Sequence, residues 1–186
     1  MHSDSLISLH RLVWTAMCAA LIGVGAYAVI PLGPIPFSMQ PMFVCLAGYV
    51  LGPVSGAASV GLYLAAGSVG LPVFQRGMGG LAHLLGPTGG FLFGFVLLAA
   101  CAGLAARRDG GAVRWLPGLA WGLVGLVALY ACGAVWLKVR LDWDWSRTLL
   151  TAVVPFFPLG ILKLGLALGC ARVLARSRLL PLAARP

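Results

Sequence analysis

Acidic residues are nearly absent from this 186-residue chain. Four aspartates, Asp4, Asp109, Asp142 and Asp144, stand against thirteen lysines and arginines, and all four lie in loops or near a terminus. A carboxylate inside an apolar segment is costly and marks ion or proton pathways. Its absence here excludes a proton relay or a sodium site built from intramembrane acids. Charge of either sign is scarce: 9% of residues, against ~25% in soluble proteins. With 61% hydrophobic residues and a mean hydropathy of +1.00, no soluble fold of this length could hide the apolar surface. The solvent is lipid. At ~20 residues per crossing the length allows roughly six helices, so the expected architecture is an all-α integral membrane bundle of six transmembrane helices. It forms one transmembrane domain over residues 1–186, with no room for a second, soluble one.

Other absences narrow the function. The five cysteines sit inside apolar segments and none forms a CxxC pair, so they read as small packing residues and neither a metal nor a redox site is indicated. There is no GxxxxGK[ST] for nucleotide, no HExxH, no GxSxG and no Ser/His/Asp set. An enzyme reading therefore has little to stand on, and no cofactor is expected. The net charge of +9 does not argue for nucleic acid. The basic residues lie beside apolar runs, where the positive-inside rule expects them, and no basic stripe interleaves with aromatics.

What is present is a series of apolar runs broken by glycine and proline. The N-terminal segment reads as a retained first helix, not a cleaved signal peptide. The first span runs from about residue 12 to 30, ends at Pro31, Gly33, Pro34 and Pro36, and carries Ala16 and Ala20 in small-xxx-small register, which favours close helix contact in lipid. The second, 42–51, is short and is expected to borrow residues from Pro36 onward. A turn at Gly52, Pro53 and Ser55 leads to a third, small-residue span to Gly70. A fourth covers 90–106 and ends in a hydrophilic turn at Arg107, Arg108 and Asp109. A fifth covers 115–137, an interfacial loop follows over 138–147, and a sixth run, 148–174, is interrupted by Pro155 and Pro158. With the N-terminus inside, Arg11, Arg107, Arg108, Arg114, Arg172, Arg176, Arg178 and Arg185 face the cytoplasm. Only Arg76, Lys138, Arg140 and Arg147 face outward. This favours both termini in the cytoplasm.

The segment 71–90, LPVFQRGMGGLAHLLGPTGG, has no comfortable solvent. Six glycines and two prolines rule out a continuous helix, yet it is half apolar. Such backbone beside membrane helices is buried in protein or lines a cavity, so it is expected to be a partly re-entrant outer loop. Lys163, about five residues into the last helix, is the sharpest polar residue within a span. Arg76, His83 and Thr88 in the loop, with Gln40, are the polar groups that the topology brings to the same outer half. Phe37, Phe74, Phe91 and Tyr63 offer an apolar wall. A cationic, partly apolar pocket suits a small anion with an apolar body.

Several stretches resemble the BioY family, the substrate-binding S components of energy-coupling-factor (ECF) biotin transporters. They are Pro36-Phe37-Ser38-Met39-Gln40, Leu51-Gly52-Pro53, Tyr63-Leu64, Gly70-Leu71-Pro72-Val73-Phe74 and Leu85-Gly86-Pro87-Thr88-Gly89-Gly90. The resemblance implies biotin capture within an ECF-type ABC transporter of a bacterial inner (plasma) membrane. Ala16 and Ala20 match the family's AxxxA, implying contact with a transmembrane coupling subunit, and two ATPase subunits would supply the nucleotide chemistry this chain lacks. The last helix resembles the family's PFxPGDxxK at Pro155 to Lys163. There Lys163 is kept, but Gly160 stands where the resemblance expects an acid that accepts the ureido N–H groups. Backbone carbonyls near Gly160, or Gln40, would substitute. Whether Lys163 or Arg76 meets the carboxylate stays open, and an S component for another small vitamin, or a ligand-free membrane scaffold, remains an alternative.

Overall fold

The computed structural model describes residues 2–30, 37–106 and 111–177. The prolines expected to end the first span, the turn at Arg107 to Gly110, and the tail bearing Arg178 and Arg185 lie outside the described residues. Helix α1 (His2–Tyr27) is followed by Val29–Ile30 (β1), which pairs antiparallel with Phe37–Ser38 (β2), Val29 opposite Ser38. Helix α2 (Gln40–Ser68) comes next, then a short α3 (Leu81–Leu84), α4 (Gly89–Gly103), α5 (Trp115–Leu141), α6 (Trp145–Ala152) and α7 (Phe157–Arg176).

α2 is two arms, not one rod. Gly52 has φ 80° and ψ −179°, a conformation essentially reserved for glycine, and Pro53 follows without an amide hydrogen to continue the ladder. The chain reverses there. A Cβ on Gly56 would lie 2.8 Å from the Cα of Gly48, and Gln40 bonds to Tyr63 across 23 residues. In a straight helix those two would be about 34 Å apart. The expected turn at Gly52 and Pro53 is thus present, with arms over 40–51 and 53–68. The first arm does not draw on residues before Gln40. Phe37–Ser38 is a strand, and Pro41 occupies the first turn of α2, where a missing N–H costs nothing.

α4 lies against α5 with Gly94 on Leu129 and Gly90 on Trp136. α5 lies against α7 with Gly118 on Leu168 and Gly160 on Leu126. These pairings run antiparallel, so successive segments alternate in direction and build the expected six-helix bundle. Among the described residues, four stretches are long and apolar enough to cross a membrane: Leu9–Tyr27, Gln40–Ser68, Trp115–Leu141 and, with α6 and α7 together, Trp145–Arg176. The core is filled by Ile22, Leu98, Leu126, Leu129, Leu164 and Leu168, while Leu116, Val69 and Val139 stand exposed, as a chain solvated by lipid allows.

The loop expected over 138–147 is largely helical. Nothing in Lys138–Leu141 breaks a helix, so α5 continues to Leu141, and Asp142 closes it in the left-handed region at φ 50°. Asp144 accepts the backbone N–H of Arg147 at 3.2 Å and starts α6, an N-cap of the usual kind. Only residues 142–144 connect them. After the interruption at 153–156, α7 starts with Pro158 in its first turn.

Candidate binding site

One end of the bundle gathers the start of α2, the loop 71–88, the first turns of α4 and α7, and the last third of α5. The loop is held there by Phe74, which is fully buried. Its ring lies against the bare backbone of Gly67, edge-on to Tyr63 at 5.5 Å and stacked on His83 at 5.2 Å. Tyr63 stands five residues before the end of α2, so the loop dips about 7–8 Å along that arm. The amide of Gly80 donates to the carbonyl of Gly67 at 2.7 Å, and Tyr27 of α1 donates its hydroxyl hydrogen to the Pro72 carbonyl. The loop is therefore re-entrant in the sense expected, with its backbone groups paired inside the protein.

Beneath it lies a cavity with about 60 Å³ of free space. Ser38, Gln40, Gln75, His83, Thr88, Tyr130 and Lys163 provide its polar lining, and Phe37, Phe91, Leu92, Phe95, Leu129 and Phe156 its apolar walls. Among these described residues there is no acid.

Gln40 is completely buried and is bonded at both ends of its amide, with one N–H left to offer. Its amide donates to the Tyr63 hydroxyl at 2.8 Å, while its oxygen accepts from the Ser38 hydroxyl at 3.2 Å and, at 3.5 Å, from Gln75. Lys163 is only 5% exposed. Its ammonium donates to the Ser38 carbonyl at 2.6 Å and sits 3.4 Å from the centre of the Phe37 ring. A carbonyl and an aromatic face soften the burial of the amine but do not cancel its charge. A buried cation calls for an anionic partner, and the cavity is where one can reach it.

The sequence-predicted residues divide on this geometry. Lys163, Gln40, Thr88, His83 and Phe91 line the cavity. Tyr63 and Phe74 stand one layer behind, positioning Gln40 and the loop. Arg76 does not join them: its side chain is exposed on the outer side of the loop, with the backbone in the left-handed region at φ 60°. Gly160 is buried, and a Cβ there would lie 3.2 Å from the Tyr130 hydroxyl and 3.0 Å from Leu126. Ala16 and Ala20 are exposed on α1 beside Leu12, Val13, Met17 and Val24, away from the cavity.

Tyr130 escaped the sequence reading. It donates to the Phe156 carbonyl at 2.9 Å and stands edge-on to Phe91 at 6.4 Å. The signal was available, because Tyr130 is the one polar-tipped aromatic in the apolar middle of α5, as Tyr63 is in its own span. Ser38 and Gln75 were visible as polar residues, but only the dipping loop brings Gln75 to Gln40, and only the packing of α7 brings Lys163 to the Ser38 carbonyl.

His83 carries a pH dependence. Burial lowers its pKa from the ordinary 6.5, so the docked loop binds the proton less tightly than an undocked loop would. Loop docking is fully favoured above pH ~6.5 and weakens as pH falls below it. Protection of the amides in 74–84 against hydrogen exchange, measured relative to the intrinsic rate at each pH, should fall between pH 7 and pH 5, and His83→Phe should remove that fall. An unchanged loss of protection in the variant would place the titrating group elsewhere.

Comparison with known proteins gives a consistent result. The model of the BioY family matches residues 1–179. The biotin transporter BioY of Thermotoga maritima is 41% identical over 159 residues, covering 86% of this chain and 92% of that protein. The probable biotin transporter BioY of Pyrococcus horikoshii is 38% identical over 148 residues, covering 80% and 85%. In three dimensions the chain is similar to the crystal structure of the S-component for biotin from an ECF-type ABC transporter, with a TM-score of 0.82, 30% identity, and 91% and 92% of the two chains covered.

Proposed function

The chain belongs to the BioY family, and on that premise we propose that it captures biotin as the membrane-embedded S component of an ECF-type ABC transporter. It is a multi-pass membrane protein and a transport subunit, not an enzyme. The observation that carries the reading is Lys163, a lysine 5% exposed at the floor of an acid-free cavity walled by aromatics. Biotin is an anion at neutral pH with an apolar bicycle and chain, and such a pocket complements both parts. The ammonium offers charge to the carboxylate or the ureido oxygen. Gln40, Gln75 and the Tyr130 hydroxyl offer hydrogen bonds to the remaining polar edge. The free space of about 60 Å³ is below the ~300–1,000 Å³ of occupied small-molecule sites, so the walls part on binding. The loop 71–88, the wall with the least regular secondary structure, is the one to move.

Titration of the detergent-purified protein with labelled biotin tests this. Saturable sub-micromolar binding is expected, and well-folded protein without it would overturn the assignment. Competition with other small vitamins then reads the specificity.

The orientation that places both termini in the cytoplasm of a bacterial inner membrane turns the cavity outward, where a vitamin is met. Transport then needs a transmembrane coupling subunit and two ATPase subunits, since this chain has no nucleotide motif. Ala16 and Ala20 lie on an exposed apolar face of α1, which suits close helix contact. Ala16→Trp is expected to abolish co-purification with the coupling subunit while leaving biotin binding within about twofold, as for a site with no shared contacts. Survival of the complex would remove that face from the interface.

A further inference from the structure

A second concavity lies on the lipid-facing side of the same end of the bundle, between α4 and α5. It measures about 890 Å³ and is floored by Gly90, with Phe93, Val135 and Val139 exposed along it and Arg140 at its end. Its wall from Ala131 to Val139 extends about 12 Å along α5. Apart from Arg140, its lining side chains are apolar or carry no formal charge. Arg140 lies over the Trp136 indole, 5.2 Å from its centre. Two more cations stand over indoles nearby, Lys138 over Trp145 and Arg147 over Trp143. The acids at this level are Asp142 in the connection and Asp144, which caps α6. Tryptophans and stacked cations at one end of an apolar groove place that end at the headgroup level of a bilayer.

We propose that this groove is a binding site for one anionic phospholipid, an acyl chain lying along Val135 and Val139 and the phosphate on Arg140. The guanidinium forks onto phosphate oxygens while its face stays on Trp136. A zwitterionic lipid brings a choline cation toward Arg140 and Lys138 and is disfavoured. The site is also joined to the cavity. Trp136 donates its indole N–H to the Gly86 carbonyl at 2.9 Å, holding the end of the loop that covers the cavity, so a lipid against Trp136 braces that loop.

Native mass spectrometry of the detergent-purified protein with phosphatidylglycerol and phosphatidylcholine of the same acyl composition tests the site. One equivalent of phosphatidylglycerol should be retained about tenfold more tightly than phosphatidylcholine, the scale of one charge-assisted contact. Arg140→Gln should erase that preference and Arg147→Gln, with the same charge change, should keep it. Val135→Trp, which fills the groove, should lose the retained lipid, with a monodisperse species and an unchanged helical circular-dichroism spectrum as the check on folding. Equal retention of the two lipids, or a preference that survives Arg140→Gln, overturns the proposal. So does displacement by soluble glycerol phosphate, which would assign the site to free phosphate. The bracing rests on the biotin reading. It requires slower biotin release from nanodiscs of phosphatidylglycerol than of phosphatidylcholine, and equal rates would remove it while leaving biotin binding itself intact.

Discussion

Lys163→Met is expected to weaken biotin binding by roughly 30-fold or more while leaving the fold intact. Removing one partner of a desolvated charge pair costs about 2–5 kcal/mol, and each 1.4 kcal/mol is about tenfold in affinity. Methionine keeps the unbranched stem and fills the space against Phe37 without the charge. The unliganded protein should not suffer. The ammonium's only polar compensation described in the structure is the Ser38 carbonyl at 2.6 Å and the Phe37 face. Replacing an incompletely paired buried charge by an apolar group is often neutral or stabilising. The two readouts therefore move in opposite senses: biotin affinity falls, thermal stability holds or rises. A Lys163→Met protein that binds biotin within about threefold of the parent would show that the lysine only supports the fold.

The largest effect on folding is expected at Gly103. A Cβ there would run into the backbone nitrogen of Pro53 and lie 2.5 Å from its Cα. That backbone is the reversal of α2, held by Gly52 at φ 80°, and has no rotamer with which to yield. On the other side of the contact, a Cβ on Gly48 would meet the Ala99 carbonyl oxygen of α4. Gly103→Leu therefore forces α4 away from the hairpin, at the upper end of the ~1–3 kcal/mol typical of overpacking or beyond it. A lowered unfolding temperature in detergent, or loss of a monodisperse species, is the expected result. Gly169→Leu is the control, because no atom lies within 4 Å of a Cβ there. Equal tolerance of both substitutions would mean that the α2–α4 contact is looser than described.

Much of this arrangement was legible in the chain itself. Composition settled the solvent, and Gly52-Pro53 announced a break because only glycine accepts that backbone and proline cannot continue the ladder. The run from Leu71 to Gly90 announced a loop that must be satisfied by protein, and Phe74 is the residue that seats it. Lys163 stood out because a lone amine in an apolar helix is expensive wherever it goes. Harder to see were the boundaries of α5 and α6, where helix continued through residues whose polarity suggested a loop. Charge content does not end a helix; a left-handed residue at 142 and a cap at 144 do.

The partners of each polar group belong to a different level. Ser38 and Lys163 are 125 residues apart, and Gln40 meets Tyr63 only because the hairpin folds arm against arm. Arg76 and His83 carry similar sequence signals in one loop, yet the backbone turns the first outward and the second onto Phe74. Tyr130 enters the site because Gly160 leaves its hydroxyl room. The solvent, the helical passes and a lone lysine within a span follow from the chain alone, since they rest on transfer energies and local backbone preferences that each residue carries wherever it is placed; that the lysine is buried follows from packing. The tertiary structure alone decided which groups face that cation, because side-chain direction and close approach depend on how distant segments pack.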